Sequence, residues 1–321
     1  VSLSLAEAET LFGAMLDGEM ADDAVAAALV KLANRGETAA EIAGAVKALR
    51  ARMIPVTAPP NAIDVCGTGG DGQHSLNVST AVALVVAACG IPVAKHGNRA
   101  ASSRAGAADT LEALGLNLPR AGDMAEITLP DLGIAFLFAQ IHHPALARLA
   151  PIRKTLARRT IFNMTGPLAN PAGVSAQLVG VAAPALVPLY AEAMALLGTT
   201  RAMIVSGNEG LDELSISGPS TLATIGFTLP ATTITPEMAG LPGYPLAALR
   251  GGDAAFNAAA LRRLLIGEPG AYRDAVLLNA AAALIVAGEV EDWQGGVEEA
   301  AEALDKGLAK ALLDCWIDIV K

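Results

Sequence analysis

The sequence predicts an α/β protein, with a small all-helical domain ahead of a larger α/β domain built on a mainly parallel central sheet. Three observations carry this. The first fifty residues place apolar side chains at helical spacing and show no strand pattern. PVTAPPNA, Pro55 to Ala62, then breaks the helical run with three prolines. From Ala62 onward short apolar runs alternate with amphipathic stretches, as parallel strands alternate with crossover helices.

LAEAETLFGAMLDG reads as a helix ending at Gly18, ADDAVAAALVKLANRG as one ending at Gly36, and ETAAEIAGAVKALRARM as a third. AIDVC, IPVAK, IAFLF, QLVGVA and AMIVS are the strand candidates. A helix over about Val78 to Cys89 follows the first, and another starts near Arg104. From Asp253 the chain is mostly helical, in AAFNAAALRRLLIG, GAYRDAVLLNAAAALIVAG and GGVEEAAEALDKGLAKALLDCWI.

Composition narrows the function. Aromatic residues are only 3%, so Ala, Leu, Val and Ile build the core. The longest apolar stretch, Ala81 to Ala94, contains Gly90 and Pro92 and falls short of the ~20 residues of a membrane span. No basic region opens the N-terminus, so no signal peptide and no membrane association are expected. Three widely spaced cysteines, Cys66, Cys89 and Cys315, match no zinc pattern and suit reduced thiols in the cytoplasm. A net charge of −10 argues against a nucleic-acid partner. Acids are nevertheless absent from Gly72 to Ala108 and from Leu132 to Ala191. Those windows hold Lys95, Arg99, Arg104, Arg148, Arg153, Lys154, Arg158, Arg159 and all four histidines, His74, His96, His142 and His143. Buried strands and helices exclude charge too, but they do not account for these cations; a pocket for an anion does.

DVCGTGGDGQHSLNVSTAVALVV, Asp64 to Val86, places a glycine-rich loop between a strand and a helix. Glycines adopt positive φ and bring bare N–H groups close to a ligand, and the helix adds its unpaired N-terminal N–H groups. The spacing is neither GxxxxGK[ST] nor GxGxxG. AKHGNRAASSRAGAADTLEALG repeats the logic: Lys95, His96, Asn98 and Arg99 fall at a strand's C-terminal end, where open α/β sheets bind ligands.

GTGGDG, NVST, KHGNRAASS, HHPALARLAPIRKTL, RTIFNMTGPLANPAG and NEGLDE, in this order and at these intervals, resemble the anthranilate phosphoribosyltransferase family over nearly the whole chain. The resemblance implies transfer of phosphoribose from phosphoribosyl pyrophosphate to anthranilate, with Mg²⁺. It implies a discontinuous helical domain, 1–58 and 142–170, an α/β domain of 59–141 and 171–321, and a homodimer formed through the helical domain. Gly67, Gly70, Asp71, Ser75, Asn77, Val78, Ser79 and Thr80 would hold the pyrophosphate end of the donor. Lys95, His96, Gly97, Asn98, Arg99, Ala100, Ala101, Ser102, Ser103 and Ala107 would hold the rest. Gly67, Asn98, His142 and Arg153 would face anthranilate, and Ser79, Asp212 and Glu213 would serve the metal. Ala107 stands where the family usually has serine, Ser206 and Glu209 where it has His and Asp, and Thr165 where leucine is common.

Such a reaction needs no covalent nucleophile, only positioning and electrostatics, with Lys95 in support. Two other activities compete: pyrimidine-nucleoside phosphorolysis on the same fold, and nucleic-acid binding by a non-catalytic homologue. KHGNR with HHP favours the transferase over the first, and the acidic balance with the retained LDE disfavours the second.

Overall fold

A computed structural model describes residues 2–100 and 104–321. Three helices open the chain: α1 (Leu5–Asp17), α2 (Asp22–Arg35) and α3 (Ala39–Arg50). Ser4 and Thr38 cap α1 and α3 through reciprocal bonds with Glu7 and Glu41, and Gly18 ends α1 at φ 79°. These boundaries follow the sequence expectation.

Beyond the proline stretch lie β1 (Ile63–Gly67), α4 (Val78–Ala88), β2 (Val93–Gly97) and α5 (Ala107–Leu114). Then come α6 (Leu118–Asp123), α7 (Ala125–Leu132), β3 (Ile134–Phe138) and α8 (Ala139–His142). A 3-10 turn leads to α9 (Ala150–Leu156) and α10 (Phe162–Thr165). After these come β4 (Ala176–Gly180), α11 (Leu186–Leu196), β5 (Arg201–Gly207), β6 (Ser220–Ile225) and β7 (Thr233–Ile234). The chain closes with α12 (Ala254–Leu265), α13 (Ala271–Ala287), α14 (Trp293–Asp305) and α15 (Leu308–Ile319).

The seven-stranded sheet has the order β3-β2-β1-β4-β5-β6-β7. The pairs from β3 to β5 are parallel; β6 and β7 add antiparallel strands at one edge. That edge was not anticipated: STLATI alternates weakly and is only half-buried, so its sequence carries little strand signal. Two further expectations shift. The helix expected near Arg104 starts at Ala107, behind Gly106, and the last helical stretch breaks at Gly307, whose φ of 70° ends one helix and opens the next.

Side chains alternate across each strand, and the two faces meet different layers. Ile63, Val65, Val93, Ile134 and Phe136 face the main core with α4, α5 and α12 to α15. Cys66, Val179, Ala202 and Ile204 face a second core that includes α11 and the helical layer. In that layer Leu149, Ile152, Phe162 and Leu168 pack with Phe12, Leu29, Ile42 and Leu49, so the 144–168 segment joins α1 to α3.

Candidate active site

The glycine loop leaves β1 at Gly67, where strand order reverses between β1 and β4 and a parallel sheet opens a crevice at its C-terminal ends. The turn depends on Gly69, Gly70 and Gly72, at φ of 65°, 71° and 74°. Added Cβ atoms at Gly69 and Gly72 would meet nothing within 4 Å, and one at Gly70 would face only the Arg159 guanidinium, 3.8 Å away. Conformation and an open approach, not core packing, therefore account for these glycines.

The loop is laid over the Asp212–Glu213 pair. Gly69 N–H donates to Asp212 Oδ2 at 2.7 Å. A Cβ at Gly67 would run into the Asp212 carboxylate, and one at Gly180 into the Asp212 carbonyl, so the ends of β1 and β4 admit Asp212 only because both are glycine. Glu213 Oε1 accepts the Ser79 N–H in the first turn of α4 at 3.1 Å. Burial raises both carboxyls above the ordinary carboxylate range; the Asp71 charge adds to it at Asp212, and the Asp212 charge at Glu213. Asp71 Oδ2 is buried without a hydrogen-bond partner.

Alternation along β2 sends Lys95 and His96 to opposite faces. Lys95, buried, donates to the Val65 carbonyl at 2.7 Å and to Ser79 Oγ at 3.2 Å. His96 turns toward the helical layer, where its Nδ1 lies 2.9 Å from the Gly166 carbonyl and its ring 5.2 Å from that of His143. Burial depresses both imidazoles, His96 to about 3 and His143 to about 4.

The other expected site residues divide into two sets. Gly67, Gly70, Asp71, Ser75, Val78, Ser79 and Thr80 do line the β1 loop and the start of α4, and Thr80 Oγ1 is buried without a partner. Asn77 sits there too, but its amide is engaged by the Ala105 carbonyl, Thr110 and Asn257. Gly97 ends β2, exposed Asn98 and Ala100 follow it, and Ala107 opens α5 beside Gly97. Arg99 is turned away into ion pairs with Asp109 and Glu112, which leaves its guanidinium neutralised. Ala101, Ser102 and Ser103 lie outside the described residues. Arg148, in the acid-free window, is likewise paired, with Asp22 on the helical layer.

On the helical side, Arg153 in α9 is half-buried, 3.4 Å from Asn163 Oδ1 and 5.9 Å above the Phe162 ring. His142 is pinned to the linker: its Nδ1 lies 2.9 Å from the Ile54 carbonyl, and its own carbonyl accepts Ile54 N–H. Its neighbour His143 is the one that meets His96. The resemblance names His142 for the anthranilate side, yet it is His143 that meets His96, a distinction that HHP by itself does not carry. Arg159, which reaches the glycine loop, was likewise one cation among several in the sequence.

The departures also find places. Glu209 Oε1 accepts from Ser215 Oγ and, at 2.9 Å, Ser217 Oγ, which fixes the loop before the acidic pair, and Gln73 Nε2 donates to the Glu209 carbonyl at 3.1 Å. Ser206 is buried, and Thr165 Oγ1 donates to the Phe162 carbonyl at 3.2 Å.

The arrangement offers backbone N–H groups and one ammonium for an anion, beside hard carboxylate oxygens for a cation. Among the described residues no three His, Cys, Asp or Glu side chains form a metal site by themselves. None of the described helices is long and apolar enough to cross a membrane.

Comparison with known proteins identifies the family. Residues 1–53 match the helical bundle domain of a glycosyl transferase family, and residues 59–310 its a/b domain. Anthranilate phosphoribosyltransferase of Novosphingobium aromaticivorans is 67% identical over 98% of this chain and 96% of its own. The crystal structure of the Thermus thermophilus enzyme superposes with a TM-score of 0.93 at 44% identity, covering 100% of this chain and 96% of that one. The Saccharomyces cerevisiae enzyme in complex with PRPP and Mg superposes at 0.89 and 31% identity, covering 98% and 92%. The same yeast enzyme with 4-fluoroanthranilate gives 0.88 at 28%, covering 99% and 93%. With two thirds of its residues shared with a relative matched over nearly its full length, and the glycine loop, α4 and the Asp212–Glu213 pair brought together at the C-terminal ends of the central strands, this chain belongs to the anthranilate phosphoribosyltransferase family.

Proposed function

We propose that the chain transfers the phosphoribosyl group of phosphoribosyl pyrophosphate to the amine of anthranilate, giving N-(5-phosphoribosyl)anthranilate and pyrophosphate in tryptophan biosynthesis. The observation that carries the reading is the charge balance under the glycine loop. Asp71, Asp212 and Glu213 act on one another there, opposed by the Lys95 ammonium at Glu213 and with the Arg159 guanidinium at the outer side of the loop, so three carboxyls meet two cations. An anionic donor enters such a place only together with cations. Hard oxygens, two of them backed by N–H donors, suit Mg²⁺, which needs one or two carboxylates and completes its shell with phosphates and water.

In this reading Asp212, Glu213 and Ser79 serve Mg²⁺, which when bound neutralises charge on the departing pyrophosphate. Gly67, Gly70, Asp71, Ser75 and Asn77 to Thr80 hold the pyrophosphate end. Lys95, Gly97, Asn98 and Ala100 hold the ribose phosphate, together with Ala101 to Ser103 and Ala107, whereas His96 and Arg99 of the same stretch are engaged elsewhere. Here Asn77 serves as the pivot that fixes α4, and Arg99 as the clamp on α5 rather than as a free cation. Arg153 holds the anthranilate carboxylate beside Gly67 and Asn98. The His96–His143 pair walls the amine's approach, with His142 behind it on the linker. The amine attacks the anomeric carbon as pyrophosphate leaves, and catalysis is positioning plus fixed charge.

The helical unit is taken as 1–58 with 142–170, moving against 59–141 with 171–321, and pairing with a second copy in the cytoplasm. The described cysteines, all unpaired, suit that compartment. The test follows anthranilate fluorescence with phosphoribosyl pyrophosphate and Mg²⁺. Fluorescence loss that stops on chelation is expected. Phosphorolysis of thymidine or uridine with no anthranilate turnover would replace the reading with a nucleoside phosphorylase.

A further inference from the structure

The seam between β1 and β2 differs from its neighbours. β1 pairs with β4 from Ile63↔Ala176 through Gly67↔Gly180, and β2 with β3 from Val93↔Ile134 through Gly97↔Phe138. β1 and β2 pair only at Ile63↔Val93, where Ile63 N–H donates to the Pro92 carbonyl at 2.9 Å. The next rung of a parallel ladder would carry His96 N–H to the Val65 carbonyl.

Side chains take that rung apart. His96 N–H donates instead to Asp64 Oδ1 at 3.1 Å. The Val65 carbonyl accepts from Lys95 Nζ at 2.7 Å. Asn170 Nδ2 spans the seam, donating to Asp64 Oδ2 and to the Ala94 carbonyl, both at 2.8 Å, while Asn170 Oδ1 accepts Ala172 N–H at 2.8 Å. Asp64 is wholly buried and Asn170 nearly so. Asp64 works from the helical face of the sheet and Lys95 from the other, so both sides of the gap are filled.

A buried carboxylate between two strands is costly, and two ordinary backbone bonds would satisfy the same groups without it. Plain cohesion of the sheet therefore does not explain it. What it changes is geometry beyond the seam. The loop after β1 rides on β1–β4–β5, and the loop after β2 rides on β2–β3. These loops, 67–72 and 97–100, carry most of the groups that the proposed reaction assigns to the donor, while Gly67 and Asn98 at their starts also border anthranilate. Asn170 also stands one residue before Pro171, whose carbonyl accepts Val56 N–H at 3.1 Å, so the wedge is tied to the linker.

We propose that Asp64 and Asn170 are positioning residues: a polar wedge that keeps the C-terminal ends of β1 and β2 unpaired and sets the spacing of the two donor loops. The proposal rests on the reading of those loops as the phosphoribosyl-donor site, and its test has one arm that does not. Asp64→Asn keeps the shape, removes the charge and leaves an amide facing an amide or an N–H. Asn170→Ser is a second, milder opening of the same cluster.

In the ligand-free protein, amide hydrogen exchange in 67–72 and 97–100 should rise about tenfold in both variants, with α1 to α3 unchanged. In turnover, the KM for phosphoribosyl pyrophosphate should rise about tenfold, the loss of one charge-assisted bond, with a clearly smaller rise, about threefold or less, for anthranilate, which meets only Gly67 and Asn98 of these loops. The double variant should lose little more than the worse single one, because the pair acts as a unit. Wild-type exchange in both loops overturns the wedge. Altered exchange with unchanged donor KM overturns the positioning role, as does an equal rise for both substrates or a fall in stability alone. If the unaltered chain does not use the donor, the functional reading fails, while the exchange arm still decides the wedge.

Discussion

Arg153 shows how residue-scale roles depend on partners that sequence does not display. In HHPALARLAPIRKTLARR it is one of several cations, and a solvated helix arginine would be the simplest account. In the fold Lys154, Arg158 and Arg159 are exposed, while Arg153 is half-buried and its pKa is lowered by burial, over Phe162. A desolvated guanidinium with only a 3.4 Å amide contact has capacity for a carboxylate. Arg153→Ala should raise the KM for anthranilate roughly ten- to hundredfold, the value of a charge-assisted bond of about 1.5–3 kcal/mol, and leave the donor KM nearly unchanged. Arg153→Lys should recover only part, since an ammonium lacks the planar fork. Steady-state kinetics with each substrate varied would check this, and equal losses for both would make Arg153 a structural residue. The same scale explains what the sequence hid. Arg99 is a strand-end cation on paper, yet Asp109 and Glu112, a helical turn apart and ten or so residues on, claim it. His142 and His143 are adjacent letters with opposite neighbours, the Ile54 carbonyl for one and the His96 ring for the other.

At the scale of elements, what was legible had strong local causes. Capping residues, terminal glycines and helical periodicity delimit α1 and α2 to within a residue or so, and α3, which has no terminal glycine, to within three. Apolar runs followed by glycine mark β1 and β2, and the glycine loop was readable as a loop from its composition alone. β6 and β7 were not legible, because an antiparallel edge with one wet face needs few apolar residues. The β1–β2 seam was not either: Asp64 in AIDVC reads as a polar residue in a short strand, and its partner Asn170 is distant in sequence. The loop itself gives a sharp prediction. Gly70 holds φ 71° with only Arg159 nearby, so Gly70→Val combines a strained, β-branched residue with a bulky group on the open face. Unfolding should shift by only about 2–4 °C per kcal/mol of local strain, because no core contact is lost. Donor binding, measured by calorimetry with Mg²⁺ present, should weaken more than tenfold. Normal donor affinity in a folded Gly70→Val protein would reduce the loop to a turn.

At the scale of the molecule, two layers meet along one face of the sheet, and two histidines lie where they meet. His96 comes from β2 and His143 from the segment that leads into the helical layer, with ring centroids 5.2 Å apart. Burial is the main cause of both depressed pKa values, about 3 for His96 and about 4 for His143, against an ordinary value near 6.5. Each ring is a neutral group in the fold and takes up its proton more readily once unfolded. For a pKa lowered by folding, the stability associated with the neutral ring is fully present above the unfolded value and is lost as pH falls toward the folded one. The window therefore runs from about 6.5 down to about 4, with each imidazole contributing a slope of up to about 1.4 kcal/mol per pH unit. When both finally charge, two cations sit between the layers with no acid from the 132–191 window to balance them. The ligand-free protein should lose stability steeply across this window. His143→Gln, which keeps polarity without a titrating ring, should start less stable at pH 7 because ring packing is lost. Its curve should then fall less steeply and approach the wild-type curve by pH 4.5. Denaturant midpoints at half-unit steps from pH 7.5 to 4.5 measure the two slopes directly. Parallel curves with a constant offset would mean that His143 titrates normally in the folded protein, and that acid weakens the contact between the layers through some other group.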